Sequence, residues 1–322
     1  MLFLTESDVI DLLPMDLAIE RVEQSFLAQR WEGAVNQPRA RLFIKDSSLH
    51  YMAAALPHEG LIGMKVYIVS SGAWRFVVLL YEAARGELAA LIEADHLGRI
   101  RTGAASGVAA KHLSRADAST VGVIGSGRQA RTQLQAVAAV RKIRSARVFS
   151  PQASHREVFA RDMSGSLGIR VEPDDSAEAA AAFGDIVITA TTARQPVVAG
   201  EWLKPGAHVN AIGANMENRR EVDDALLAKA AVIAVDSIVQ ARVEAGDLIQ
   251  GFASDPGRWD RVVEMWEIVA GKRPGRQSAE EVTLFKSAGI ALWDVAVAGA
   301  IYRRAREAGR GKEIALSPLG RG

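Results

Sequence analysis

The segment Gly125-Ser126-Gly127-Arg128-Gln129-Ala130 follows the apolar run Val121-Gly-Val-Ile124 and opens a helical pattern. The spacing suits phosphate binding. Gly125 permits a sharp turn, Gly127 lets the backbone approach a pyrophosphate, and Ala130 packs the new helix against the strand. The free amides and the dipole at that helix N-terminus then hold the charge. A lone glycine triplet is weak evidence. Here strand, turn, helix and a second strand ending at Val148-Phe149-Ser150 come in the order that a dinucleotide site requires. The alternative is a tight strand-to-helix joint that holds no ligand.

An acidic residue at the end of that second strand would take the ribose hydroxyls of NAD. The chain has Ser150 there, with His155 and Arg156 following. A small hydroxyl beside cations suits a 2′-phosphate, which favours NADP over NAD; otherwise Arg156 is simply solvated on the next helix. Further on, Asp185-Ile-Val-Ile-Thr-Ala-Thr-Thr192 ends a strand in hydroxyls. Thr189 and Thr191 either touch the cofactor at the carboxyl end of the sheet or serve as β-branched strand formers with local caps.

These groups need a scaffold. From about Ser114 onward strand and helix patterns alternate. The expected strands are Thr120–Ile124, Ala146–Phe149, Gly168–Val171, Ile186–Ala190, His208–Ile212 and Val232–Val235. The expected helices include Ala130–Val140, Ser154–Met163 and Ser176–Phe183, with Asp223 and Asp224 capping a further one at Ala225–Ala230. Such alternation predicts a doubly wound parallel sheet, the Rossmann arrangement. Before it, a helix over about residues 5–32 precedes a strand meander divided at Gly60, Ser70–Gly72 and Arg85-Gly86, hence an antiparallel or mixed sheet. A helix rich in Ala, Gly and Ser follows from about Ile100 to Leu113. The last helix, about Ser287–Arg306, is too long and apolar for a tail and is expected to return to the first core. The stretch Ala308–Gly322 is expected to be loose. The fold class is therefore α/β. A Rossmann domain over 116–286 joins a second, α+β domain made from 1–115 and 287–322.

Composition narrows the chemistry. The chain has 322 residues, 49% apolar and 24% charged, enough to bury two cores. A net charge of +1 gives no field for nucleic acid or an anionic membrane. With no cysteine, thiolate nucleophiles and cysteine-ligated metals are excluded. The six histidines show no paired ligand spacing, and no nucleophile elbow is present. No stretch of about 18 uncharged apolar residues occurs, and the first residues lack a basic and apolar leader pattern. A cytoplasmic location is the default expectation.

Several further segments carry a resemblance. Arg101-Thr-Gly-Ala-Ala-Ser-Gly-Val-Ala-Ala-Lys-His-Leu113 precedes the glycine loop; Asn210-Ala-Ile-Gly-Ala-Asn215, Arg220-Glu-Val-Asp223 and Thr283-Leu-Phe-Lys-Ser-Ala-Gly289 follow it. In this order, over nearly the whole chain, the set resembles the ornithine cyclodeaminase/μ-crystallin family. The resemblance implies hydride transfer between a nicotinamide and the α-carbon of an amino or imino acid, and a homodimer formed through the second domain. It also implies site residues. Arg41 and Arg101 look like ligands of the substrate carboxylate, with Arg39 as an alternative to Arg41. Lys65 looks like the lysine beside the substrate, its pKa expected to be depressed by the arginines. Thr102, Ser287 and Gly289 fall where the family approaches its cofactor.

Two positions depart from the cyclodeaminase pattern. Asn215 stands where those enzymes carry a catalytic aspartate, and an amide is no general base. His50, before Tyr51-Met52, stands where they carry the glutamate that recognises the ornithine amine. A histidine, protonated or not, suits an anionic or neutral side chain. Both changes favour reduction of a preformed α-imino acid such as a ketimine, a cyclic imino acid or iminosuccinate. The competing readings are an ornithine or lysine cyclodeaminase with recycled NAD and a non-enzymatic cofactor-binding protein.

Overall fold

A computed structural model describes residues 1–30, 33–70 and 73–317. Trp31-Glu32, Ser71-Gly72 of the expected turn and residues 318–322 of the expected tail lie outside the described residues. The chain forms two compact units, one from residues 1–101 and 290–322 and one from residues 102–289.

The first unit opens with β1 (Leu2–Leu4), α1 (Glu6–Leu12) and α2 (Met15–Ala28). The single helix expected over residues 5–32 is thus two. Thr5 and Asp8 form a capping box at the start of α1, and Pro14 is the N-cap of α2. A proline ring inside a continuous helix would strike the carbonyl four residues earlier, so the chain breaks there. The strands β2 (Val35–Asn36), β3 (Ala40–Ile44), β4 (Ser47–Leu56), β5 (Leu61–Ser70), β6 (Ala73–Glu82) and β7 (Glu87–Glu93) follow. From β4 to β7 each strand pairs antiparallel with the next, while β1 pairs parallel with β7, so the sheet is mixed. Helix α3 (Asp95–Leu113) comes next, and the Glu6 carboxylate accepts from its first backbone amides at Asp95 and His96.

The unit boundary falls inside α3, between Arg101 and Thr102, rather than after residue 115. The small residues of its second half explain this. A β-carbon on Gly103 would lie 2.5 Å from the Thr132 carbonyl oxygen, and Ala110 joins the core of the second unit.

The second unit contains β8 (Thr120–Ile124), α4 (Arg128–Val140), β9 (Ser145–Phe149), α5 (Ala153–Leu167), β10 (Arg170–Pro173), α6 (Ala177–Phe183), β11 (Ile186–Thr189) and β12 (His208–Ala211). It continues with α7 (Asp224–Lys229), β13 (Ala230–Val235), α8 (Ile238–Glu244), α9 (Gly246–Gly251), β14 (Val262–Glu264), α10 (Met265–Val269) and β15 (Val282–Lys286). The sheet order is β10-β9-β8-β11-β12-β15-β13-β14, parallel throughout the described residues. This is a doubly wound sheet with its topological switch between β8 and β11, where ligands of open α/β sheets bind. β15 was not anticipated from the sequence. Its Val282–Lys286 run merges with the apolar pattern of the following helix, yet it lies in the middle of the sheet.

The chain returns to the first unit with α11 (Ala291–Glu307) and β16 (Lys312–Glu313). The last helix therefore starts after the Ser287–Gly289 turn. The tail is not wholly loose either, because Lys312 and Glu313 pair with β1. Trp293 of α11 is fully buried, edge-on to Phe26 of α2. Gly63 of β5 accommodates α11, since a β-carbon there would lie 2.8 Å from Val295. No helix among the described residues is long and apolar enough to cross a membrane.

Candidate active site

In the first unit three elements bring charge to one buried point. Lys65 of β5, Arg101 of α3 and Asp294 of α11 are 3%, 5% and 0% exposed. Lys65 Nζ and Arg101 Nε each donate to Asp294 Oδ1 at 2.9 Å. Gly98, one turn before Arg101, leaves room for the lysine: a β-carbon there would lie 2.8 Å from Lys65 Nζ. Burial pushes Lys65 down to about 8, and the charges of Arg101 and Arg39 add to that effect against the pull of Asp294. Burial opposes ionisation of Asp294, but Arg101 and Lys65 outweigh it and hold the carboxyl below its usual range. Asp294 Oδ2 has no hydrogen-bond partner among the described residues.

Arg39 and Arg41 differ in burial and in the groups that their charges reach. Arg39 is buried, and its charge reaches Lys65. Arg41 is half-buried and paired across the ladder with His50. Arg39 thus bears on Lys65 as well as on His50, beside which Arg41 lies. His50 is buried, hydrogen-bonded through Nε2 to Ser48 Oγ at 2.7 Å, and stacked on Tyr67 at 4.5 Å. Tyr67 in turn stacks on Phe76, over which Lys65 Nζ lies at 5.5 Å. Burial, Arg41 and Arg39 lower His50 to about 4. The free protein thus holds a neutral imidazole here, not the protonated one entertained from sequence, and its Nδ1 has no partner among the described residues.

In the second unit Gly125 adopts φ +108, a left-handed conformation that favours glycine. Gly127, the N-cap of α4, has no side-chain cap, and the space around its α-carbon is open. The uncapped amides and the room beside them fit a pyrophosphate. Ala130 is fully buried behind the turn, while Arg128 is exposed and Gln129 half-buried. Ser126 Oγ donates to Ser150 Oγ at 3.0 Å. Arg156 donates to the Ser150 carbonyl at 3.1 Å and to Asp175 at 3.0 Å, so its guanidinium is braced at the end of β9 rather than merely solvated. His155 is exposed; Thr102 and Asn215 are half-buried.

Four further residues expected to touch the cofactor lie at or just past the ends of β11 and β15. Thr189 is fully buried, and Thr191 donates its hydroxyl to Glu221 at 2.8 Å. Ser287 donates to Asp236 Oδ2 at 2.9 Å, and the Gly289 amide donates to the same oxygen at 2.6 Å. Thr191, Ser287 and Gly289 thus hold loops past strand ends, while the Thr189 hydroxyl has no hydrogen-bond partner among the described residues.

Sequence reading missed Asp294, Glu221, Asp236, Asp247 and Lys286, all essentially without exposure. One signal was available for the first. Asp294 is a lone acid in the apolar run Ala291-Leu-Trp-Asp-Val-Ala296, and charges in such surroundings are rarely buried without a partner.

The model of the ornithine cyclodeaminase/mu-crystallin family matches residues 1–309. Three solved structures superpose on this chain with a TM-score of 0.92. One is Δ1-pyrroline-2-carboxylate reductase from Thermococcus litoralis in complex with NADH and L-proline, 36% identical and covering 98% of this chain and 100% of its own. Another is an archaeal alanine dehydrogenase dimer with bound NAD, 32% identical over 98% and 99% of the two chains. The third is iminosuccinate reductase from Paracoccus denitrificans with NAD+, 27% identical over 98% and 99%.

Proposed function

The chain belongs to the ornithine cyclodeaminase/mu-crystallin family, and we propose that it reduces an α-imino acid to the amino acid with a nicotinamide dinucleotide. The observation that carries this reading is the buried Lys65, bracketed by Arg101 and Asp294 and titrating at about 8. The relatives that reduce pyrroline-2-carboxylate and iminosuccinate support it.

The residues divide the work. Arg101 and Arg39 neutralise the substrate carboxylate and fix its orientation, which leaves the C=N carbon open to attack. Lys65, charged below about 8, supplies the proton that the nitrogen requires as the carbon gains a hydride. The uncapped amides of α4 hold the pyrophosphate of the dinucleotide. When bound, the dinucleotide supplies the hydride. Asn215 offers no general base, which disfavours the cyclodeaminase alternative.

The deciding assay follows nicotinamide absorbance with NADH and NADPH against pyrroline-2-carboxylate, piperideine-2-carboxylate, oxaloacetate with ammonia, and pyruvate with ammonia or methylamine. Oxidation with one imine is expected. Ammonia release from ornithine or lysine with NAD, and no imine turnover, would mean a cyclodeaminase. Tight dinucleotide binding with no turnover at all would mean a binding protein.

The cofactor lean also has a test. Ser150 in place of an acid, with Arg156 braced beside it, fits the 2′-phosphate of NADP. Arg156→Ala should raise the KM for NADPH on the order of tenfold, as expected for one lost charged contact, and leave that for NADH nearly unchanged. Equal effects on both cofactors would remove the lean.

His50 sets side-chain selectivity in this reading. A neutral imidazole with an open Nδ1, beside Arg41, suits a second carboxylate, as in iminosuccinate. His50→Ala should lower the preference for dicarboxylic over monocarboxylic imines about tenfold. An unchanged ratio in steady-state competition would discard this role.

We assign homodimerisation to the outer face of the first unit's sheet. Leu42, Ile44, Tyr51, Ile62, Ile68 and Tyr81 share that face by register and are all exposed. An apolar patch of this kind on a soluble protein marks an interface, and the archaeal alanine dehydrogenase is a dimer.

A further inference from the structure

Behind the glycine loop of the second unit lies a buried charge network that the proposed chemistry does not use. Glu221, Asp247 and Lys286 are each 0% exposed. The Glu221 carboxylate accepts four hydrogen bonds: from the Thr191 amide at 2.7 Å, the Thr191 hydroxyl at 2.8 Å, the Gly213 amide at 2.6 Å and the Ala214 amide at 3.2 Å. Thr191 lies just past β11, and Gly213 and Ala214 lie just past β12. One carboxylate therefore ties together the loops at the carboxyl ends of two adjacent strands.

The carboxylate is itself held. Asp247 Oδ1 accepts from the amides of Glu221 at 2.6 Å and Val222 at 2.9 Å. Lys286, at the end of β15, donates to the Ala214 carbonyl at 2.5 Å and lies 2.9 Å from Asp247 Oδ2. The two carboxylates and the ammonium thus link three strand ends and the segment after Arg220 without any exposure. A buried charge without such partners would be strongly destabilising.

The other side of Thr191 meets the phosphate turn. A β-carbon on Gly125 would lie 2.5 Å from the Ala190 carbonyl oxygen and 3.3 Å from Thr191 Cγ2. Gly213 is equally confined: a β-carbon there would lie 2.2 Å from the Thr191 carbonyl oxygen and 2.5 Å from Glu221 Oε1. The glycine turn rests on Ala190-Thr191, Thr191 rests on Glu221, and Glu221 is clamped by Asp247 and the Ala214 loop.

We infer that Glu221 is a positioning residue for the dinucleotide site, holding Thr191 against Gly125 and fixing the Gly213–Asn215 loop at the switch point of the sheet. The inference rests on the dinucleotide reading of the glycine loop. Glu221 touches no ligand in this account; it acts through backbone amides that a neutral side chain holds less strongly.

The test is Glu221→Gln, which keeps the shape and removes the charge. NADH and NADPH affinities are measured by fluorescence titration of the whole protein, beside kcat, the KM for the imine and the melting temperature. The expected result is a dissociation constant for the dinucleotide raised on the order of tenfold, with the imine KM little changed at saturating cofactor. Thr191→Val is the milder companion. It deletes one hydroxyl bond to the carboxylate, keeps the backbone, and should weaken the dinucleotide about threefold. A lower melting temperature with unchanged dinucleotide affinity in Glu221→Gln would overturn the inference, because it would reduce Glu221 to a structural anchor. Should that variant not fold, unchanged affinity in Thr191→Val overturns it instead. A wild-type protein that binds neither dinucleotide would defeat the underlying reading, and this inference with it.

Discussion

Lys65→Ala should lower kcat for imine reduction by about 10²–10⁴-fold, the usual range for loss of a positioned proton donor. The effect should fall on kcat more than on KM, because Arg101 remains to hold the carboxylate and Asp294 remains to hold Arg101. The fold should survive, since the variant removes a cation from a cluster in which Lys65 and Arg101 share one carboxylate and Arg39 adds a further positive charge at the lysine. Lys65→Arg is the sharper control. It keeps the positive charge but cannot release a proton near neutrality. In the wild type, log kcat/KM for reduction should stay level at lower pH and fall above about 8, as Lys65 loses its proton. In Lys65→Arg that alkaline limb should vanish along with most of the rate. A Lys65→Ala enzyme within threefold of wild type would remove the lysine from the mechanism.

The second large effect belongs to Asp294. Asp294→Asn leaves Lys65 and Arg101 without their common counter-charge. Breaking a buried ion pair by removing one partner costs about 3–5 kcal/mol of stability, and the retained amide should keep this case toward the lower end. The pH dependence has a definite sign. The carboxyl of Asp294 ionises below its usual range in the fold. Its contribution is therefore present above the ordinary carboxylate pKa and is lost as pH falls through the depressed one. Wild type and variant should converge in acid. Toward alkali the gap should narrow without closing, because the variant's Lys65, lacking Asp294, sheds its proton at a lower pH than the wild type's, while Arg101 keeps its charge and its need for the carboxylate. The same loss of attraction should move the alkaline limb of the rate profile below 8. Thermal melting across pH, with the rate profile alongside, checks both. A limb left near 8 would mean that Asp294 does not set the lysine's pKa.

Local signals made the second unit readable. Strand and helix periods differ, Ser176 and Asp223 cap helices as their residue types suggest, and Gly125 has a steric reason in the turn while Gly127 leaves open space at the helix start. What escaped was non-local or sat at a break. Pro14 interrupts a helical pattern that periodicity alone carries through. β15 escaped because a five-residue run with only Val282, Leu284 and Phe285 apolar, close before a long apolar helix, gives no clear strand period. Among the site residues, Lys65 and Arg101 were legible through resemblance, but their partner lies 229 and 193 residues away along the chain. Pairing of that kind leaves no spacing to read. The choice between Arg39 and Arg41 was equally closed to sequence, since both alternate onto the same face of one extended segment and only packing separates them.

The place of β15 has a consequence for how the protein is made. The strand sits between β12 and β13, and α11 follows it to fill the core of the first unit. Neither body can complete its interior until β15 and α11 have left the ribosome. During synthesis, β12 and β13 wait with open edges while the first sheet waits for its covering helix. A nascent chain in that state exposes unpaired strands and apolar surface, the condition under which chaperones engage. Emergence of β15 and α11, rather than of the glycine turn, is then the event that permits both units to close. A stop codon before residue 282 would yield two unfinished bodies rather than one finished and one missing.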